Sequence, residues 1–449
     1  MDIKINYSVV EPELNMITLP RMFLAKQTFE RPVIQPDEIY NHVIRGLEES
    51  GVSERVHSGM TIAITVGSRG IANQSTTVKA IVDYLKGKGA KPFIVPAMGS
   101  HGGGNAENQL HIVEAFGITE EAMGCPIKSS METVCIGNNE EGVPVYLDKN
   151  AFEADGIVVN CRIKPHPAFR GVYESGIMKM MTIGLGKRKG ADSCHNAGFG
   201  KMARNIYLFG RTILEKANIL FAVASIENAY DETARIDVVK AEDVIEQEPG
   251  LLVYAKEHMA RFLFESCDVL IVDRIGKEIS GDGMDPNVMG RFGTKYATGG
   301  LQAERVVVLD LTEATHGNGL GCGHADIVTE RLVEKLNLGA MYLNAMTSRV
   351  LQPVSIPVIM RNDRQALQMA IVSCAGIDRE KPRVVRILDT LHMEYILLSE
   401  AFLDEVDRME GIEAVTGLFE LETDKNGNFY SGHQMREFHE NHRRACTCV

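Results

Sequence analysis

Three stretches of the chain gather residue types that do chemistry. His101 lies in Gly99-Ser100-His101-Gly102-Gly103-Gly104, with glycines on both sides and no apolar helix face to pack on. A neutral imidazole is the natural proton acceptor near pH 7, so this is a candidate base; the plainer reading is an exposed glycine loop. His166 stands between Pro165 and Pro167, with Arg162, Lys164 and Arg170 close by in sequence. Such a braced basic loop can hold a carboxylate beside a general base, or it can simply be a basic surface loop. Lys179 follows among Ile177, Met178, Met180, Met181 and Ile183. A lysine there either snorkels to water or becomes a nucleophile through desolvation. Cys194 and His195 end the stretch as a helix terminus or a soft metal site.

Three further segments carry weaker signals. Val66-Gly67-Ser68-Arg69-Gly70 combines glycines with an arginine. It is either a tight turn or a place where backbone and guanidinium meet a phosphate. Asp273–Asp285 reads as a strand-end loop in which Lys277 could reach a substrate carboxylate or a cofactor across a cleft. His316, Cys322, His324 and Asp326 fall within eleven residues that also hold several glycines. They suggest a rival metal site, or a glycine-rich turn entering a helix.

These residues need elements to place them, and the hydrophobic pattern predicts which. Thr61–Val66 reads as a buried strand, and Ser75–Lys88 as a helix with Val78, Ile81, Val82 and Leu85 on one face. Phe93–Ala97 is the next strand, completing a βαβ unit, and Gly156–Asn160 is another. Later come a helix over Leu251–Phe264, strands over Asp268–Val272 and Arg305–Leu309, and a helix over Ile327–Leu336. A strand over Val354–Met360, a helix over Arg364–Ala375 and a strand over Val384–Leu388 follow. The alternation predicts two α/β domains with largely parallel sheets and an active-site cleft between them, divided as 1–264 and 265–449. In such sheets ligands sit at the carboxyl ends of strands, which draws attention to the residues after Val66, Ala97 and Asn160.

Composition limits the alternatives. The chain has 449 residues, 45% hydrophobic and 24% charged, enough for large cores. Its net charge of −13 argues against nucleic acid and anionic membrane as partners. The compact basic clusters are short ones such as Lys187-Arg188-Lys189. The N-terminus lacks the apolar run of a signal peptide, and nine cysteines without a disulfide-like framework suggest a reducing cytoplasm. Cys446 and Cys448 read as part of a frayed tail.

In order and context the first set of motifs resembles the nickel-dependent lactate racemases and their 2-hydroxy-acid racemase and epimerase relatives. Lys179 and His195 stand sixteen positions apart, as the family's cofactor-bearing lysine and metal-binding histidine do. Tyr173-Glu174-Ser175-Gly176 looks like the glycine-serine run that precedes that lysine. His101 and His166 match the two catalytic histidines, and Arg69 the arginine on the cofactor phosphate. The resemblance implies a pyridinium-3,5-bisthiocarboxylic acid mononucleotide, the nickel-pincer nucleotide, attached through Lys179. It further implies nickel on His195, Ser68 and Ser175 at the cofactor, and Lys164, Arg170 and Lys277 at a 2-hydroxy acid. Cofactor-synthesis enzymes would be maturation partners. The family's D-x-T-R pattern is replaced by Val66-Gly67-Ser68-Arg69, and the gap from His166 to Lys179 is longer than in the lactate enzymes. Both departures bear on the substrate, and the cationic loop suits an acid larger or more charged than lactate. Two rival expectations are a zinc or iron hydrolase or dehydratase using His316, Cys322 and His324, and a nucleotide-binding module without turnover.

Overall fold

A computed structural model describes residues 5–67 and 70–430. Contacts divide the chain into two units, Arg31–Met259 and Met1–Glu30 with Ala260–Val449. Each is an α/β unit on a largely parallel sheet, the predicted class. The division expected at 264 falls at Met259 instead, and the first thirty residues join the later unit. The reason is strand pairing: Met22–Gln27 lies antiparallel between Tyr395–Ser399 and Ile412–Ala414.

In the Arg31–Met259 unit the sheet order is Lys91–Pro96, Thr61–Val66, Gly156–Arg162, Ile219–Glu227, Thr233–Lys240. The first four are parallel and the last is antiparallel. Helices cover both faces. Ile62, Ile64, Val66 and Val158 pack with Val43 and Leu47 of helix Ile39–Glu49 and with Val78, Ile81 and Leu85 of helix Gln74–Gly87. Ala63, Ile157, Val159 and Cys161 face the opposite core, with Ile206 and Phe209 of helix Met202–Lys216 and Leu251 of helix Val244–His258. Burial on both faces is why these strands read as continuous apolar runs. The winding reverses between Thr61–Val66 and Gly156–Arg162, so a ligand crevice is expected at their carboxyl ends.

The segment beyond the third of these strands packs across those ends. A helical turn, Ile177–Lys179, passes into a π-helical turn, Met180–Gly184, closed by Leu185 N–H donating to Met180 O at 2.9 Å. Helix Lys187–His195 follows. Lys187 starts it at φ 53°, a conformation that costs a non-glycine residue about 1 kcal/mol. Its side chain is fully buried, 3.1 Å from the equally buried Asp148, and it also donates to Pro96 O. One of the three residues of the expected basic cluster is therefore internal, because Lys187 ties the His195 helix to a strand end. Burial pushes its ammonium pKa down and Asp148 opposes that push.

The other unit has an eight-stranded sheet in the order Val358–Met360, Ile327–Thr329, Gln302–Leu311, Ser266–Ile275, Val384–Ile387, Tyr395–Ser399, Met22–Gln27, Ile412–Ala414. The first five are mutually parallel and the rest pair antiparallel. The helix expected over Ile327–Leu336 is in fact the strand Ile327–Thr329 followed by helix Glu330–Glu334, which Thr329 caps through its hydroxyl. No helix among the described residues is long and apolar enough to cross a membrane.

Removing Asp148 strands a buried ammonium, which costs about 3–5 kcal/mol. Asp148→Ala should therefore lower the urea midpoint strongly, whereas Lys187→Met with Asp148→Leu should recover much of the loss. Equal destabilisation of the two proteins would show that the charge pair is not the cause.

Candidate functional site

Glycines let the strand-end loops of the Arg31–Met259 unit close on the Lys179 segment. A Cβ on Gly67 would stand 3.2 Å from Met180 Cε, and one on Gly99, at φ 61°, 3.1 Å from Ile183 O. Gly99 N–H donates to Gly184 O at 3.2 Å, so the loop carrying His101 is fastened to the π-helical turn after Lys179. His101 itself is exposed, with its carbonyl accepting from the Gln109 amide at 3.0 Å. Ser68 and Arg69 lie outside the described residues, as do Cys446 and Cys448.

His166 is the centre of the cluster. Burial, then the charges of Lys179, His195, Arg170 and Lys164, push its pKa well down. The ring is neutral at pH 7, and four of the residues singled out in the sequence surround it. Phe199 neighbours both imidazoles, its ring centroid 6.4 Å from that of His166 and 5.7 Å from that of His195. His166 Nδ1 accepts the Ala168 N–H at 3.0 Å, so the neutral ring carries its proton on Nε2. Lys179 and His195 thus meet in one neighbourhood despite the sixteen positions between them.

Two buried carboxylates hold this arrangement, and the sequence offers little sign of either. Glu174 Oε2 accepts the His166 N–H at 2.7 Å, and its Oε1 accepts Lys256 Nζ at 2.6 Å. Arg170 donates to His166 O at 2.6 Å and lies 3.5 Å from Glu174. Lys164 and Ser175 exchange backbone hydrogen bonds of 2.9 and 3.2 Å, closing the neck of the loop. Glu248 Oε2 accepts the Met178 N–H at 2.9 Å, capping the turn that presents Lys179. Burial pushes Glu248 up to about 7 against the pull of the Met178 and Ile177 amides. Glu248 and Lys256 both belong to helix Val244–His258, so one helix sets the register of Lys179 and of the His166 loop. A carboxylate inside the Tyr173–Gly176 run was the available signal for Glu174; Glu248, on a distant helix, had none.

Other expected residues have different employment. Arg162 pairs with Glu227, which also accepts the Ala72 N–H at 2.7 Å. Cys194 is buried 3.7 Å from Met202 Sδ, and burial pushes its thiol up to about 12, which keeps it protonated. Lys277 belongs to the other unit, where its ammonium donates to Gly281 O at 2.8 Å. His316 is exposed, while Cys322 and His324 are buried. Among the described residues no three His, Cys, Asp or Glu side chains gather to hold a metal, so the rival site around Cys322 is not assembled.

One feature of the site suits a nucleotide. Gln74 is 4% exposed in the first turn of the fourteen-residue helix after the Gly67 loop, and neither its amide nitrogen nor its oxygen has a partner. Thr77 Oγ1 on the same helix and Asn160 Nδ2 on the neighbouring strand are likewise unsatisfied. Orphaned buried groups are costly and ask for a ligand or water. A phosphate at this helix N-terminus would meet that need.

Fold and site together define a doubly wound α/β unit with a histidine and lysine centre at its switch point. Residues 19–206 match the family model described as the lactate racemase N-terminal domain. The matched span holds every site residue named above in the sequence except Lys277 and the loop at His316. The lactate racemase apoprotein from Thermoanaerobacterium thermosaccharolyticum is similar in structure, with a TM-score of 0.49 at 14% identity over 79% of this chain and 91% of that one. No curated protein matches the chain.

Removing the Lys179 charge should raise the His166 pKa, since a nearby cation disfavours imidazolium. NMR titration of the ring in Lys179→Met measures this, and an unchanged or lower pKa would refute the placement of the two groups. Glu248 binds its proton in the folded state up to about pH 7 but only to about 4.5 when unfolded. Its contribution to stability is therefore complete below pH 4.5 and is lost as pH rises towards 7. Urea midpoints at pH 6 and 8 should converge in Glu248→Gln relative to the parent.

Proposed function

We propose that the protein is a racemase or epimerase that inverts C2 of a 2-hydroxy acid, using a nickel-pincer nucleotide joined to Lys179. The observation that carries this reading is that Lys179, His195 and His166 share one half-buried neighbourhood. Lys179 would carry the group, His195 would bind its nickel, and Ser68, Arg69, Ser175 and the first turn at Gln74 would hold its nucleotide part. Soft sulfur donors with one imidazole suit tetragonal Ni(II). When bound, the group supplies a hydride acceptor, which spares the weakly acidic α-hydrogen a deprotonation beside a carboxylate.

The chain's own residues must then bind the acid and manage one proton. Lys164 and Arg170 give the His166 loop its positive charge. His101, on an exposed loop, takes the hydroxyl proton for one configuration. His166 in its resting tautomer offers Nε2–H to the substrate oxygen. To accept a proton there for the other configuration, the ring must first release the Ala168 N–H and move its own proton to Nδ1. Glu174 and Glu248 keep base and lysine in register, and the low dielectric around them strengthens every charge interaction in the site.

Maturation requires the cofactor-synthesis enzymes, so the test uses protein made together with them. The parent should carry a mass adduct on Lys179 and about one nickel per chain, and should racemise members of a 2-hydroxy-acid panel. Lys179→Ala should lose the adduct and at least about a thousandfold in rate, a loss of some 4 kcal/mol in barrier lowering. His195→Ala should keep the adduct and lose nickel. Racemisation by Lys179→Ala at the parent rate would sink the reading.

A further inference from the structure

The three cations of Lys187-Arg188-Lys189 have three different surroundings. Lys187 is buried against Asp148. Lys189 lies over the Tyr146 ring, 4.3 Å from its centroid. Arg188 is 66% exposed along its side chain, and its ion pair is loose, with Nε 3.9 Å from the half-exposed Asp192 Oδ2. An exposed pair at that separation holds its partners weakly, so the guanidinium can exchange Asp192 for a better acceptor.

The place of Arg188 in the fold gives that acceptor a setting. Arg188 is the second residue of helix Lys187–His195, and Asp192 and His195 follow it at four and seven positions. That spacing puts the three side chains on one face, with His195 about 10 Å further along the axis. The guanidinium leans along this face towards Asp192. On its other side the Arg188 stem crosses the glycine turn that follows His101. A Cβ on Gly104 would stand 3.0 Å from Arg188 Cδ and 3.6 Å from its Cβ. Gly104 N–H donates to His101 O at 3.2 Å, which closes that turn. One side chain therefore borders both the loop of a proposed base and the helix face of the proposed nickel ligand.

Lys164 and Arg170 lie on the His166 loop, where the reacting end of a 2-hydroxy acid needs its positive charge. Arg188 belongs to a different element, and its planar fork matches a second carboxylate. The chain's net charge of −13 repels a dianion, so such an acid must be held by a local cation. We infer that Arg188 is a specificity-determining residue that pairs with the remote carboxylate of a 2-hydroxy dicarboxylic acid. The reacting end of that acid rests on the proposed racemase reading, whereas the position of Arg188 beside Gly104 does not.

The test uses the full chain matured with the cofactor-synthesis enzymes and reads binding by calorimetry at neutral pH. Malate and 2-hydroxyglutarate are the dianions, and lactate and 2-hydroxybutyrate the monoanions. The dianions should bind about tenfold more tightly. Arg188→Gln should erase this preference, and Arg188→Lys should keep part of it, because a point charge attracts but cannot fork. Lys189→Gln removes the same charge one position away and should keep the preference within about twofold. A parent without preference for dianions, an Arg188→Gln protein that retains it, or a Lys189→Gln protein that loses it equally would overturn the assignment. Preference for dianions without inversion of any of the four acids would sink the racemase reading alone. Inversion of lactate without that preference would sink the role of Arg188 alone.

Discussion

Cations repel, yet this chain brings Lys164, Arg170 and Lys179 around the imidazoles of His166 and His195. Glu174 makes that possible. Its side chain is buried, and its two oxygens take the His166 amide, Lys256 and the neighbourhood of Arg170. A buried carboxylate is expensive unless its oxygens are filled, and here the groups that fill them are those that must be positioned. The rest of the site inherits its geometry from this anchor. With the loop fixed and burial added, His166 stays neutral, and its Nδ1 settles on the Ala168 amide.

Helix Val244–His258 extends the same principle. Through Lys256 it reaches the His166 loop and through Glu248 the amides ahead of Lys179. A third tether, Tyr173 OH on Ile245 O at 2.8 Å, joins the helix to the run before Lys179. Two functional segments separated in sequence are thus referred to one rigid element, which suits a site whose groups must keep fixed distances. Lys187 and Asp148 do the same for the helix that ends in His195.

Much of the fold was legible because parallel strands buried on both faces leave an unmistakable trace. Thr61–Val66 lies where its unbroken apolar run placed it. Ile327 was misread because a three-residue strand running straight into a capped helix shows one continuous apolar pattern, too short for period 2 to stand apart from period 3.6. Met22–Gln27 could not be assigned to its sheet from sequence, since antiparallel partners nearly four hundred residues away leave no local mark.

By itself the sequence determined the types and order of the chemical groups: a histidine among glycines, a histidine among prolines and cations, a lysine among apolar residues, and a histidine sixteen positions on. It determined as well that they would fall at strand ends, because glycine and proline interrupt the apolar runs there. Tertiary structure alone decided which charges meet. Whether Lys187 faces water or Asp148, whether Arg162 is spent on Glu227, and which nitrogen of His166 carries the proton all depend on partners brought from elsewhere in the chain. Electrostatic interactions act through space and grow as water is excluded, so their outcome is set by packing rather than by spacing along the chain.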